Sequence, residues 1–207
     1  MTYDEIIRLR RSIRAYKNET PAPDLINAML ESARYAPSPS HTQPVRFLLV
    51  KSDEKRQYLH RMLVEGKDRF LEILGHNNGG KTPKNLVKTY FRFAEFMVKA
   101  PLLFAVGTIR TRSFSDRLIE AGVLAENPKG FSDADITTGL ALSAFMLKGA
   151  ELGIGTCILT APFVFIPDLS KSIHPDIRVT CFVTAGYPAE SPKPLTRISV
   201  EDLCLTL

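Results

Sequence analysis

The chain first shows a lack of metal, disulfide and nucleophile chemistry. Its three cysteines, Cys157, Cys181 and Cys204, are odd in number, far apart and set among apolar neighbours. That excludes a disulfide framework and a C-x-x-C pair, and all three read as buried thiols. The four histidines, at 41, 60, 76 and 174, have no metal-ligand spacing, and neither a P-loop nor a G-x-S-x-G nucleophile elbow occurs. No apolar run approaches the roughly 20 residues that a bilayer crossing needs, and Met1-Thr2-Tyr3-Asp4 lacks the opening of a signal peptide. The expected location is cytoplasmic, with no membrane contact. Gly153-Ile154-Gly155-Thr156 tempts a dinucleotide fingerprint, but the third glycine position holds Ile158 and the predicted order is helix then strand, which excludes it. With no side-chain catalyst in view, any chemistry is expected of a bound cofactor for which the protein supplies position and charge.

What is present fits one globular domain over residues 1–207, with 44% hydrophobic and 24% charged residues. A formal charge of +5 and a pI of about 9.2 raise nucleic acid as a partner. However, Lys and Arg are scattered without aromatic platforms or an RNP or zinc-finger motif, so a small anionic ligand accounts better for the surplus.

The stretch from Arg10 to Tyr16, Arg-Arg-Ser-Ile-Arg-Ala-Tyr, concentrates that charge. Arg10, Arg11 and Arg14 present planar forks that match phosphate oxygens, and Ser12 adds a short hydrogen bond, so the segment reads as an anion clamp. The alternative is a solvated turn after a helix.

Along the chain, Thr2 and Glu5 form a capping box for a short helix ending near Arg11, with Tyr3, Ile6, Ile7 and Leu9 on its apolar side. Thr20, Pro21 and Pro23 announce a second helix, carrying Leu25, Ile26, Met29, Leu30 and Ala33 until Pro37. The loop Ala36 to Pro44, Ala-Pro-Ser-Pro-Ser-His-Thr-Gln-Pro, is stiffened by its prolines and rich in hydrogen-bonding groups. It is either a well-made connector or a mount for a heterocycle. A strand over Val45 to Val50 follows, then a helix from Ser52 to His76 with Tyr58, Met62, Leu63 and Phe70 on its buried side. A polar loop, His76 to Gly80, leads to a helix begun by Thr82 and Pro83. Its Tyr90, Phe91, Phe93, Phe96 and Met97 make an aromatic surface that serves core, subunit contact or ligand. Leu102 to Thr108 reads as a buried strand. Ile109 to Gly130 reads as a lid-like region with a helix over Ser113 to Glu120 and breakers at Asn127, Pro128 and Gly130. Ser132 and Asp135 cap a central helix through Glu151, whose Ile136, Leu140, Ser143, Ala144, Leu147 and Ala150 permit close packing on another helix. After the glycine turn come a strand ending at Thr160, a short helix from Pro167 to Ile173 and a core strand from Ile177 to Thr184. The extended tail carries Lys193 and Arg197, and its end must hide Leu203 and Leu205, for which another subunit is the expected place.

Four of these stretches together resemble the FMN-dependent nitroreductase family over essentially the full length. Arg10-Arg11-Ser12-Ile13-Arg14-Ala15-Tyr16 is similar to its R-R-S-x-R-x-[FY] opening, and Ala36-Pro37-Ser38 through Gln43-Pro44 to its A-P-S-x-x-N-x-Q-P loop. The helix into Ala150-Glu151-Leu152-Gly153-Ile154-Gly155-Thr156 resembles its A-x-x-L-G-L-G turn, and Ala185-Gly186-Tyr187-Pro188 with a basic tail completes the set. The resemblance implies an α+β fold, a central mostly antiparallel sheet wrapped by helices, and an intertwined homodimer with FMN at the interface. It also implies that Arg10 and Ser12 grip the phosphate and ribityl chain, Arg11 stands beside them, and Arg14 stabilises charge at the flavin N1 and C2 carbonyl. Pro37, Ser38, Pro39 and His41 would come from the opposite subunit. The backbone of Ile158, Leu159, Thr160 and Ala161 would face N5, and Arg197 with Lys193 would complete the phosphate site. The implied reaction is ping-pong: NAD(P)H reduces FMN, then a small electrophile such as a nitroaromatic or quinone takes the electrons. Dehalogenation or oxygen-dependent breakdown of the flavin are the specialised alternatives, and a non-enzymatic basic binding module the remote one. Two departures stand out: His41 replaces the family's usual asparagine, and Phe93 to Lys99 offers no match for the asparagine and lysine that some members place at the pyrimidine edge.

Overall fold

An apolar run without alternation can form a strand only where both of its faces are covered. Residues 102–107 are such a run, and so are 181–183 at the centre of a second apolar stretch, and in the computed structural model, which describes residues 1–76, 80–127 and 133–206, they lie in the two central strands. The order is β1 (Val45–Leu49), β2 (Leu102–Ile109), β4 (Ile177–Gly186), β3 (Gly155–Leu159), and every pairing is antiparallel. On one face, Leu103, Ala105, Val179 and Phe182 pack on Leu59 and Leu63 of α3 (Asp53–His76), Phe91 and Ala94 of α4 (Lys81–Glu95), and the short helices α7 (Pro162–Phe165) and α8 (Leu169–Ile173). On the other, Phe104, Val106, Cys181, Val183 and Ala185 pack on Ile26, Met29 and Ala33 of α2 (Pro23–Arg34) and on Ala141, Leu142 and Phe145 of α6 (Asp133–Glu151). The α+β architecture is therefore three layers with the sheet in the middle.

The remaining helices are α1 (Tyr3–Leu9), α5 (Phe114–Glu120) and α9 (Val200–Leu203). The capping box of α1 forms as expected, with the Glu5 N–H donating to Thr2 Oγ1 at 3.3 Å and the Thr2 N–H to Glu5 Oε2 at 2.7 Å. Its helix ends two residues early, because Arg10 turns to φ −54° and ψ 125° while its N–H still donates to Ile6 O. Likewise α2 stops at Arg34 and β1 at Leu49. Ser113 and Asp116 cap α5. The expected cap by Ser132, the breakers Pro128 and Gly130 and the centre of the polar loop at 77–79 lie outside the described residues.

Three expectations about burial need correction. Cys204 is exposed, unlike Cys157 and Cys181, because α9 has no buried residue in the protomer. Tyr58 of α3 is exposed, and Leu59, Leu63 and Gly66 face inward instead. The face of α6 buried in the protomer is Thr137, Thr138, Ala141, Leu142, Phe145 and Gly149, whereas Ile136 and Leu140 are exposed. An all-round apolar helix gives periodicity no way to choose between its sides. No described helix is long and apolar enough to cross a membrane.

Candidate cofactor site

Residues 12–17 run from α1 along the edge of β3 and are held there by backbone pairing on both sides. Ser12 bridges Thr156, the Ile13 N–H donates to Thr156 O at 2.9 Å, the Lys17 N–H to Tyr187 O at 2.9 Å, and the Ala189 N–H to Ala15 O at 2.9 Å. Two glycines make room. A Cβ on Gly155 would lie 2.7 Å from Ile13 Cγ1, and one on Gly186 would lie 2.9 Å from Tyr16 Cδ1 and 2.8 Å from Pro101 Cγ. The Tyr16 hydroxyl donates to Ile13 O at 2.6 Å and stands 2.7 Å from the Thr184 hydroxyl, and its burial lifts its pKa well above the usual range. The clamp is thus one structural unit with the glycine turn and the Gly-Tyr-Pro segment, both of which lie in the last third of the chain.

This placement gathers positive charge. Arg10 is half-buried, and burial together with the neighbouring Arg197 and Arg11 lowers its hold on its proton. Arg11 Nη1 donates to the carbonyls of Arg8 and Arg10, while its Nε is buried with no hydrogen-bond partner among the described residues. Crowded like charges and an orphaned donor are what an anion with several oxygens relieves, so the donor set fits the phosphate of a cofactor such as FMN. Arg14 is exposed, and its guanidinium lies 5.2 Å from the Phe93 ring centroid, with Tyr90 edge-on to Phe93 at 6.1 Å. Cys157 lies beneath, hydrogen-bonded by Ser12. Burial pushes its thiol up, against the opposing influence of Arg14 and Arg10, so it is an inert floor rather than a nucleophile.

Of the residues named from sequence, Arg10, Arg11, Ser12 and Arg197 come together here. Lys193 is exposed on the tail. Ile158 and Thr160 are exposed, Ala161 is half-buried, and the Leu159 side chain is in the core, so any ligand contact at Leu159 is through its backbone. Sequence reasoning passed over Phe93 as a partner of Arg14, and it passed over Glu190, whose carboxylate accepts the N–H groups of Arg14 and Ala15. A lone acidic residue after Gly-Tyr-Pro carries no signal until its register with the clamp is known.

Pro37, Ser38, Pro39 and His41 are elsewhere. Their loop enters β1, the edge strand opposite β3, at the end where Val45 pairs with Thr108 and Thr108 with Arg178. From there to the clamp is three strand spacings, about 14 Å, and seven residues along β4, about 23 Å. A protomer's loop cannot reach its own clamp. The loop is nevertheless well defined: the Gln43 N–H donates to Ser38 Oγ at 2.9 Å, and Gln43 Nε2 meets His41 Nε2 at 2.6 Å. Ser40, His41 and Gln43 hold φ of 50°, 55° and 45°. Asparagine and histidine both tolerate this left-handed region, so His41 preserves the backbone of the motif while changing its side chain.

Comparison with known proteins agrees with this geometry. The chain is 24% identical over 195 residues to iodotyrosine deiodinase of Thermotoga neapolitana, covering 94% of this chain and 91% of that protein. Its fold superposes on a BluB-like flavoprotein from Clostridium difficile 630 with a TM-score of 0.82, at 22% identity and covering 100% and 99% of the two chains. It superposes on the FMN and NADPH-dependent nitroreductase NfnB from Sphigopyxis sp. strain HMH with a TM-score of 0.70, at 15% identity and 100% and 99% coverage. The family model described as "Nitroreductase family" matches residues 7–187, a span that takes in the clamp, the rigid loop, the glycine turn and, at its end, Gly186-Tyr187. These four elements, matched in one model and joined three to one edge of the sheet, place the chain in the nitroreductase family as a flavin oxidoreductase.

Proposed function

We propose that the protein binds FMN between two copies of itself and moves electrons from NAD(P)H to a small electrophile such as a nitroaromatic or quinone. The observation that carries this reading is the orphaned Arg11 Nε beside the crowded Arg10 and Arg197, a donor set suited to an anion with several oxygens. When bound, FMN supplies the redox chemistry, taking a hydride from the nicotinamide and passing electrons to the acceptor in a ping-pong cycle. The chain's own part is to bind and orient. Arg10, Arg11, Ser12 and Arg197 hold the phosphate end, and Lys193 adds long-range attraction from the tail. Arg14 carries a fixed cation to the pyrimidine edge, where negative charge gathers on reduction. Ile158, Leu159, Thr160 and Ala161 offer backbone to the ring.

A second copy supplies what one protomer lacks. Pro37, Ser38, Pro39 and His41 of its loop reach the clamp only across an interface. Surfaces for that interface exist in Ile136 and Leu140 on α6 and in the tail, where Leu195, Ile198, Val200, Leu203 and Leu205 are all at least 66% exposed.

Purified protein should be yellow and should bleach anaerobically with NADH or NADPH. A colourless preparation that cannot be reconstituted with FMN refutes the reading. The double variant Arg10→Ala/Arg14→Ala should lose FMN and remain a folded dimer. The likeness to iodotyrosine deiodinase favours a second reading, reductive dehalogenation at the same site. Iodide release from 3-iodotyrosine by the reduced protein, compared with turnover of a nitroaromatic, separates the two.

A further inference from the structure

We propose that Glu190 is the residue that positions Arg14 for the cofactor, an inference that rests on the flavin reading above. Along the clamp, the Ile13 and Lys17 N–H groups pair with backbone carbonyls, but those of Arg14 and Ala15 do not. Both donate instead to one oxygen, Glu190 Oε1, the Ala15 contact being 3.0 Å. The tail delivers this carboxylate in register, because the Ala189 N–H, one residue earlier, is bonded to Ala15 O. A carboxylate among several arginines would ordinarily pair with a guanidinium. Here it closes on two consecutive peptide groups, which fixes the backbone at Arg14 while its guanidinium stays on the Phe93 ring. Without Glu190, two adjacent donors at the arch of the clamp have no protein acceptor, and the arch is free to turn them to water. The Arg14 Cα–Cβ direction turns with it. Glu190 acts through Arg14 and touches no reacting atom.

The test compares Glu190→Gln with Glu190→Ala. Both remove the same negative charge, but only glutamine keeps an oxygen that can accept from the two N–H groups. In the flavin-free protein, hydrogen exchange at the Arg14 and Ala15 amides should be slow in wild type and Glu190→Gln, and about tenfold faster or more in Glu190→Ala. With FMN, Glu190→Ala should bind about tenfold more weakly than Glu190→Gln and should hold the cofactor at a lower midpoint potential, since a mispositioned Arg14 no longer favours the reduced form. Should Glu190→Ala fail to fold, Glu190→Met replaces it, being similar in length, uncharged and without an oxygen to accept from the two N–H groups. Equal exchange, affinity and potential in the two variants overturn the proposal. A wild-type protein that takes up no FMN overturns the flavin reading instead, and the amide exchange still decides the role of Glu190.

Discussion

Replacing Arg10 by glutamine should raise the stability of the empty protein and lower that of the loaded one. Glutamine keeps most of the aliphatic stem and puts a neutral amide in place of the charged fork. In the empty protein that charge is unfavourable, being partly desolvated and close to Arg197 and Arg11. Neighbouring like charges on a partly desolvated surface repel by on the order of 1–2 kcal/mol at an effective dielectric constant near 20. Partial exposure and salt reduce the gain on removal to on the order of 1 kcal/mol, or roughly 2–4 °C in Tm for a chain of this size. Binding reverses the sign. FMN at a hundred times its Kd stabilises wild type by about 2.7 kcal/mol. Loss of one charge-assisted contact, at the upper end of about 1.5–3 kcal/mol, weakens binding by roughly a hundredfold and leaves about 0.4 kcal/mol of that stabilisation. Arg10→Gln should therefore melt above wild type when stripped of cofactor and below it, by about 1 kcal/mol, when FMN is added. Melting curves of both proteins at matched FMN concentrations read both signs. A stripped variant that melts well below wild type, or an FMN-induced shift equal in the two proteins, refutes the account of the clamp as an anion site held at a cost in stability.

Three further outcomes can be measured. Gly155→Ala drives a methyl into Ile13, whose Cγ1 and Cβ stand 2.7 and 2.8 Å from the new atom, and should cost about 1–3 kcal/mol in urea denaturation. Adding Ile13→Ala should recover part of that loss, and strict additivity of the two changes would argue against the contact. Arg56 donates to the carbonyls of Val50, Val98, Ala100 and Pro101 at 3.1, 3.1, 2.6 and 3.4 Å. Arg56→Met should lose about 2–3 kcal/mol, with lysine restoring less than half because it has no fork, and full rescue by lysine would contradict this role. The buried Cys181 thiol is pushed up to about 11 from an ordinary 9.0, so the stability it contributes is complete below pH 9 and is lost as pH rises towards 11, by up to about 3 kcal/mol. Denaturation at pH 8 and 10.5 should show a shallower pH dependence in Cys181→Ala than in wild type, and identical slopes would rule the assignment out.

The central strands were readable because a residue run such as Leu102 to Thr108 has no polar side to turn outward, and α2 because Ile26, Met29 and Ala33 recur on one face. Helix ends were less so, since the chain leaves α1 at Arg10 to let Ser12 and Ile13 pair with distant Thr156 and Lys17 with Tyr187, rather than on account of anything local. The aromatic surface of α4 was visible as a cluster but not as a division. Phe91, and Met97 just beyond the helix, enter the core while Tyr90 and Phe93 stay outside, where Arg14 meets Phe93. The clamp could be named from its arginines alone. The reason for the glycines at 155 and 186 appears only when Ile13 and Tyr16 are seen lying on them.

The diagonal separation between the rigid loop and the arginine clamp has a genetic corollary. If each site draws one half from either chain, a copy damaged only in its arginines and a copy damaged only in its loop are not equivalent failures. Co-expressed, they should complement: every mixed pair would reconstitute one intact site and one doubly broken site, restoring about a quarter of all sites at random pairing. Neither parent alone could do so, and a protein whose site lay within one chain would show no such rescue.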